Sequence, residues 1–142
     1  MPTVMLDTNV IAGLLHPDDA LHSHARDAVR HWEDKAASFA ISVITWSELR
    51  VGAVRKGVTA GKMLGAFRAA VIDRIVEVNE ATTESAALLR AADLLRAADL
   101  TIRVPDALII ATARGIGADA LLTADRKLPG IAPELVELLR PS

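Results

Sequence analysis

The sequence predicts an α/β fold with three layers, α/β/α, around a central, mostly parallel sheet of four to five strands. Short apolar runs that suit strands alternate with segments of helical periodicity along the chain, which is the order that βαβ units require. The chain has 142 residues, of which 51% are hydrophobic and 24% charged. A chain of this size and composition can bury one core that is stable without disulfides or bound metals. No Ser-, Gly- or Pro-rich linker interrupts the chain. We therefore expect residues 1–142 to form a single domain.

The first half of the chain is predicted to contain two strands and four helices. Residues 3–6, TVML, are a short apolar run that ends at Asp7, and helical character follows at 10–15. From Asp19 to about Ala37, apolar residues recur at three- and four-residue steps, which predicts an amphipathic helix. The other elements predicted up to Val71 are a strand at 39–43 and helices at 45–55 and 60–71.

The second half of the chain is predicted to continue this alternation. RIVEV at 74–78 is a third strand, and Thr82 or Thr83 opens a long helix that ends near Leu100. This helix contains the hexapeptide LLRAAD twice in tandem, so leucines lie on more than one of its faces. The repeat is either a strongly helix-forming segment that drifted by duplication or a second leucine face that packs on another subunit. The remaining predicted elements are a helix from Pro105 to Gly115, a strand at 119–123, and a last short strand or helical turn at 134–139.

Composition excludes several classes of function. The chain has no cysteine, so disulfides, thiolate metal sites and a cysteine nucleophile are ruled out. No apolar stretch approaches the 18 or so residues that cross a membrane, and the N-terminus lacks a basic leader, so we expect a cytoplasmic protein. Aromatic residues make up 3% of the chain, which argues against recognition of RNA by base stacking. The net charge of −2 carries no basic signature of nucleic-acid binding.

Four acidic residues fall where the predicted strands end. Asp7 follows the first strand, and Glu48 lies in the first predicted turn of the helix after the second strand. Asp106 lies in the first turn after Pro105, and Asp125 comes just after the fourth strand. In open parallel sheets, ligands bind outside the carboxyl ends of the strands. The four carboxylates are therefore expected to converge on one site.

Each acid also has an ordinary structural explanation. Asp7 and Asp106 suit helix N-termini, Asp125 suits a turn, and Thr45-Trp46-Ser47-Glu48 reads as a capping box. Taken together, however, four converging carboxylates repel one another, which either raises their pKa values or requires a cation. Oxygen donors without cysteine or clustered histidine suit Mg²⁺ or Mn²⁺, and such ions commonly activate water for attack on phosphates.

Polar and basic residues near these acids suit work on a polyanion. Thr8, Asn9 and Thr123 can hydrogen-bond an attacking water or a phosphate oxygen. Four basic residues near the acids in sequence can bind a polyanion: Arg50, Arg103, Arg126 and Lys127.

Four segments resemble the acidic motifs of PIN-domain ribonucleases, and more narrowly those of VapC toxins from toxin–antitoxin pairs. In chain order they are MLDTNVIAGLL, ISVITWSELRVGA, PDALIIATA and ADALLTADRKL. The resemblance implies an endoribonuclease dependent on Mg²⁺ or Mn²⁺, with Asp7, Glu48, Asp106 and Asp125 as catalytic and metal-binding residues. Thr123 and Asn9 match supporting positions, and the resemblance further implies a homodimer that a small, VapB-like antitoxin protein inhibits.

Several alternatives stay open at this point. A housekeeping PIN nuclease that processes RNA, or a catalytically silent RNA-binding PIN module, would show the same motifs. A haloacid-dehalogenase-like phosphatase normally has a second aspartate where this chain has Asn9. A metal-free ribonuclease would use paired histidines, but the four histidines are expected on a polar turn and helix away from the acids, at positions 16, 22, 24 and 31.

Overall fold

The computed structural model describes residues 1–95 and 102–140 and contains a five-stranded sheet whose strands are all parallel. The strands are β1 (Thr3–Leu6), β2 (Ser38–Ser42), β3 (Arg74–Val76), β4 (Ala120–Thr123) and β5 (Val136–Leu138). Their spatial order is β3-β2-β1-β4-β5, which places β1 in the centre. The α/β fold with a parallel sheet is confirmed, and residues 134–139 contain a strand rather than a helical turn.

In the described parts of the chain, seven helices connect the strands and cover both faces of the sheet. They are α1 (Thr8–Leu15), α2 (His22–Asp34), α3 (Val43–Lys56), α4 (Val58–Val71), α5 (Glu80–Leu95), α6 (Val104–Gly115) and α7 (Leu128–Ile131). The short helix α7 was not predicted. Most of the second LLRAAD copy, at 94–99, lies outside the described residues.

The alternation of side chains along the strands produces two separate apolar cores. Met5 of β1 and Leu121 of β4 face α5 and α6, whereas Val4, Leu6 and Leu122 face α1 and α2. All five of these side chains are buried. Helices on both faces explain why the central strands are continuous apolar runs, and they confirm the predicted three layers.

At the edge where the strands begin, two aspartates join neighbouring strands. Asp119 accepts a hydrogen bond from Thr3 N at 2.8 Å, and its own N–H donates to Thr3 O at 2.8 Å. Asp73 makes the same pair with Phe39, at 2.8 and 2.9 Å. Asp119 and Asp73 therefore connect neighbouring strands in the same way.

The helix after β2 begins earlier than predicted, so the capping-box interpretation of Glu48 is wrong. Ser42 is the N-cap: its backbone is extended, and its Oγ accepts a hydrogen bond from Ile44 N at 3.1 Å. A hydroxyl at the last strand residue lets the helix begin at once. Thr45 consequently lies inside α3 and is fully buried, and Glu48 lies beyond the first turn.

Two other helix starts also differ from the prediction because side chains outside the periodic pattern form the caps. Asn79 Oδ1 accepts a hydrogen bond from Thr82 N at 2.9 Å, so α5 begins at Glu80. Asp19 Oδ1 accepts one from Leu21 N at 2.8 Å within a turn, so α2 begins only at His22. Within the described residues, no helix is long and apolar enough to cross a membrane.

Candidate active site

All four predicted acids lie toward the carboxyl edge of the sheet. Asp7 follows β1, Asp125 follows β4, and these two strands are hydrogen-bonded neighbours. Asp106 lies in the first turn of α6 and Glu48 lies in α3. Asp7 is close enough to interact electrostatically with Asp106 and Glu48, and Asp106 interacts with Asp125. The fold thus brings four residues that lie far apart in the sequence to the same edge of the sheet.

Asp7 is the most enclosed of the four acids, with 5% of its surface exposed. It caps α1, because its Oδ1 accepts a hydrogen bond from Thr8 N at 2.8 Å. Its Oδ2 accepts one from Thr123 Oγ1 at 2.7 Å and a longer one from Asn9 Nδ2 at 3.4 Å. The capping role expected for Asp7 is therefore present, but only one of its oxygens is used for it.

Asn9 and Thr123 hold Asp7 and the loop after β4 in place. Asn9 Oδ1 accepts a hydrogen bond from Ala124 N at 3.0 Å, and the Thr123 hydroxyl, which is fully buried, accepts one from Asp125 N at 3.0 Å. Asn9 and Thr123 also contact each other at 3.4 Å. These two side chains were expected to meet water or phosphate, but here their polar atoms are engaged within the protein and orient two of the acids.

Burial raises the pKa of Asp7 above its ordinary value of 3.8. The hydrogen bonds from Thr123 and Thr8 lower this pKa, whereas the negative charges of Asp106 and Glu48 raise it. The effects that raise the pKa exceed those that lower it, so the ionised form of Asp7 is not compensated by a nearby positive charge. A divalent cation would supply that charge.

Burial also raises the pKa of Asp106, and the charge of Asp125 adds to this effect. The positive charge of Arg103 lowers the pKa of Asp106, because its Nε lies 3.7 Å from Asp106 Oδ2. The charge of Lys127 lowers this pKa as well. The Arg103 side chain is 75% exposed and that of Asp106 is 19% exposed, so the pair lies at the rim of the site. Lys127 N donates to Asp125 Oδ1 at 3.0 Å, which fixes the turn.

Glu48 is exposed and approaches the site through Thr8. The Thr8 hydroxyl lies 3.2 Å from Glu48 Oε1 and 3.4 Å from Thr45 Oγ1. Thr45 is a site residue that the sequence analysis missed, because its position after the strand indicated a helix cap. Helical spacing places Thr45 on the same face of α3 as Leu49 and Ala53, which are four and eight residues further along, and this spacing indicates the buried side.

The donor set fits a hard divalent cation in chemistry, although the side chains are not gathered around one point. Within the described residues, no three Asp, Glu or His side chains lie close enough together to hold one ion. The acids still offer oxygen ligands alone, which is the preference of Mg²⁺ and Mn²⁺.

The histidines and the remaining basic residues lie at the rim of the site or in structural contacts elsewhere. His16 is exposed at the end of α1 and lines a pocket whose wall also includes Glu48. His22 Nδ1 lies 2.9 Å from Gly13 O, and His31 packs edge-on against Trp32, both as structural contacts. Arg126 is exposed beside Asp125, and Arg50 is exposed on α3.

Structures of known proteins share this fold over nearly the whole chain. One is the VapBC2 complex of Rickettsia felis bound to a promoter DNA fragment, with a TM-score of 0.78, 23% identity, and coverage of 97% of this chain and 99% of the other. Another is VapC20 of Mycobacterium tuberculosis, described as a Sarcin-Ricin loop cleaving toxin, with a TM-score of 0.70, 24% identity, and coverage of 96% and 99%. A third is FitAcB of Neisseria gonorrhoeae, with a TM-score of 0.72, 24% identity, and 97% coverage of both chains.

Comparison of the sequence with protein-family profiles identifies the family of this chain. A search of curated proteins finds no match. The profile of the PIN domain matches residues 4–132, a span that includes all four acids and every described strand except β5 and the first residue of β1. This chain therefore belongs to the PIN domain family.

Proposed function

We propose that this protein is a metal-dependent endoribonuclease that hydrolyses RNA phosphodiester bonds, with Asp7, Glu48, Asp106 and Asp125 as its catalytic and metal-binding residues. The observation that carries the proposal is the burial of Asp7 beside two other carboxylates at the carboxyl edge of a PIN fold. Uncompensated acids with shifted pKa values in such a place are typical of functional sites.

The cofactor in this proposal is Mg²⁺ or Mn²⁺. Asp7 and Asp106 would bind it most directly, while Glu48 and Asp125 would complete the site or orient water. A bound divalent ion lowers the pKa of water and stabilises negative charge on phosphate oxygens. The protein contributes rigid orientation, because Thr8 and Thr123 hold one oxygen each of Asp7.

The test is cleavage of RNA by the purified protein with Mg²⁺, with Mn²⁺ and with EDTA, followed by analysis of the new ends. Attack by water on phosphorus predicts 5′-phosphate and 3′-hydroxyl products. Full activity in EDTA, or 2′,3′-cyclic phosphate ends, would show that the proposal is wrong. A protein that binds RNA and never cuts it would be the catalytically silent module instead.

We further propose that the protein acts in the cytoplasm as the toxin of a toxin–antitoxin pair. Support comes from the likeness in fold to chains of toxin–antitoxin complexes, including VapBC2 of Rickettsia felis and a complex from Klebsiella pneumoniae. The inhibitor would be a small, VapB-like protein. An arginine of that protein can pair with carboxylates of the site in a bidentate fork, and its remaining surface would cover apolar helix surface near 10–15 and 45–60.

Expression in a bacterial host tests the toxin proposal. The chain alone should arrest growth, Asp7→Ala should relieve the arrest, and a small protein encoded beside this chain should restore growth by binding it. Normal growth under strong expression of protein that cleaves RNA in vitro would favour a housekeeping nuclease.

The toxin is also proposed to be a homodimer. Leu88 on α5 is 73% exposed, which agrees with the expectation that a second leucine face of this helix packs on another subunit. Sedimentation at tens of micromolar protein should show a dimer, and a 15 kDa species alone would reject this assembly.

A further inference from the structure

A pocket of about 220 Å³ lies between α1, α3 and α4, directly beside the candidate active site. Thr8 and Glu48 form part of its wall, and they are joined by the 3.2 Å contact described above. Much of the remaining lining is apolar and includes Leu15, Leu49 and Leu64. The pocket therefore opens onto one of the four acids while offering an apolar floor.

The rim of this pocket holds a positive charge without a carboxylate partner. Lys56 and His16 both line the pocket and are exposed, and Lys56 Nζ lies 3.0 Å from His16 Nε2. An ammonium has three N–H donors, so two remain after one is donated to the imidazole. Across residues 1–95 and 102–140 the ion pairs involve Arg103 and Arg114, not Lys56. The contact with His16 thus positions a cation that is free to bind an anion.

We propose that this pocket binds one nucleotide of the RNA substrate next to the phosphate that is cleaved, a proposal that rests on the proposed ribonuclease function. An apolar cavity of about 150 Å³ accepts a benzene ring, so 220 Å³ has room for one nucleobase. The apolar floor contacts the base, and Lys56 with His16 binds the adjacent phosphate of the backbone. Lys56 and His16 are then substrate-binding residues, and the floor influences which base is accepted.

Charge favours RNA over an apolar side chain of a protein as the occupant. A purely apolar partner would leave Lys56 without an anion, whereas each nucleotide of RNA brings a phosphate. Glu48 and Lys56 line the same pocket and lie about 12 Å apart along α3, so an RNA strand laid along this helix passes both. An inhibitor that covers this surface would exclude the nucleotide.

Gly52 allows the pocket to be filled without disturbing the fold. It lines the pocket within α3, and a Cβ built on it meets no atom within 4 Å. Replacing a glycine inside a helix also favours helix formation. Gly65 of α4 has the same open surroundings and is not part of the pocket lining. Gly52→Leu is therefore the test variant, and Gly65→Leu is its matched control.

The first measurement is the affinity for a fluorescent pool of randomised RNA hexamers in EDTA, which separates binding from cleavage. Gly52→Leu should weaken binding at least about tenfold, because the base loses its site, while Gly65→Leu should bind like the wild type. Lys56→Ala should weaken binding by about tenfold and lower the salt slope by about 0.7, the value for one phosphate on single strands. Lys62→Ala, which removes an exposed lysine outside the pocket, is the charge control.

The second measurement is sequencing of the ends produced from the same pool with Mn²⁺. Gly52→Leu should alter the base distribution at one position beside the cut. Equal affinity and equal cut positions for Gly52→Leu and Gly65→Leu would overturn the pocket proposal while leaving the nuclease intact. A wild-type protein that neither binds nor cleaves RNA would overturn both proposals. If Gly52→Leu keeps RNA binding and loses only inhibition by the small protein encoded nearby, the pocket is a protein-docking site and the nucleotide proposal is wrong.

Discussion

The two edges of the sheet use aspartate in opposite ways. Where the strands begin, Asp119 and Asp73 are exposed, and each exchanges two backbone-directed hydrogen bonds with a residue of the neighbouring strand. Where the strands end, Asp7 is 5% exposed and lies near Asp106 and Glu48. The first pair joins strands, while the second group accumulates negative charge in a partly desolvated place.

This difference shows that the surroundings of an acid identify its role better than its position beside a strand. An exposed carboxylate that accepts from a backbone N–H lowers the free energy of the fold and is hydrated on its other side. A buried carboxylate with acidic neighbours opposes folding unless a cation or proton compensates it. A buried acid of this kind is therefore a candidate for a functional role, as proposed above for Asp7.

The largest expected effect is on cleavage, and it separates the two edges of the sheet. Asp7→Asn keeps the volume and the capping oxygen but removes the charge, so RNA cleavage should fall by about 10²- to 10³-fold. Asp119→Asn should leave the rate within about twofold, since surface changes away from a site are usually mild. Initial rates with Mn²⁺ measure both variants. Equal losses from both would mean that the two edges do not differ in function.

The next effect is a pH dependence of stability that arises at the carboxyl edge. The raised pKa values of Asp7 and Asp106 mean that the folded protein binds more protons than the unfolded chain between pH 3.8 and those values. The free energy of unfolding contributed by these acids therefore falls as pH rises through that window. In EDTA, the stability of the wild type relative to Asp7→Asn should fall as pH rises, as measured by urea unfolding. At neutral pH, Mn²⁺ should raise the wild-type midpoint more than that of the variant. If the free energy of unfolding of the wild type rose relative to that of Asp7→Asn with increasing pH in EDTA, the raised pKa of Asp7 would be contradicted.

A smaller effect is expected on stability at the entering edge. Asp119→Ala removes the acceptor of Thr3 N, so the free energy of unfolding should fall by about 1 kcal/mol. Asp119→Asn, which keeps an acceptor oxygen, serves as the control and should recover part of the loss. Urea unfolding of both variants measures the difference, and an unchanged midpoint for Asp119→Ala would argue against a structural role.

The smallest expected effect concerns the rim of the site. Arg103→Gln removes an ion pair whose arginine is 75% exposed, so the free energy of unfolding should change by less than about 1 kcal/mol. Arg114→Gln breaks the other described pair, with Glu134 at 2.7 Å, and is expected to be similarly mild because both side chains are partly or largely exposed. Urea midpoints compare the two. A loss of several kcal/mol for Arg103→Gln alone would mean that Asp106 depends on its partner for folding.

Much of the fold and the identity of the four acids were predictable from the sequence. Apolar runs at 3–6 and 119–123 predicted the central strands because both faces of these strands are buried. Their ends predicted where Asp7 and Asp125 lie. The starts of α3 and α5 were misplaced, because Ser42 and Asn79 form the caps and neither belongs to the periodic pattern.

The sequence by itself determined the layers of the fold, the parallel sheet and which acids reach its carboxyl edge, since strand and helix periodicity are local properties of the chain. Tertiary structure alone decided which polar groups are engaged with one another. Thr123 contacts Asp7 across 116 positions, and Lys56 meets His16 across 40. Such contacts depend on how strands and helices pack, and packing distances are not encoded in any local pattern. For that reason the contacts of Asn9 and Thr123 with the acids, and the largely apolar pocket that Glu48 and Lys56 both line, became visible only in three dimensions.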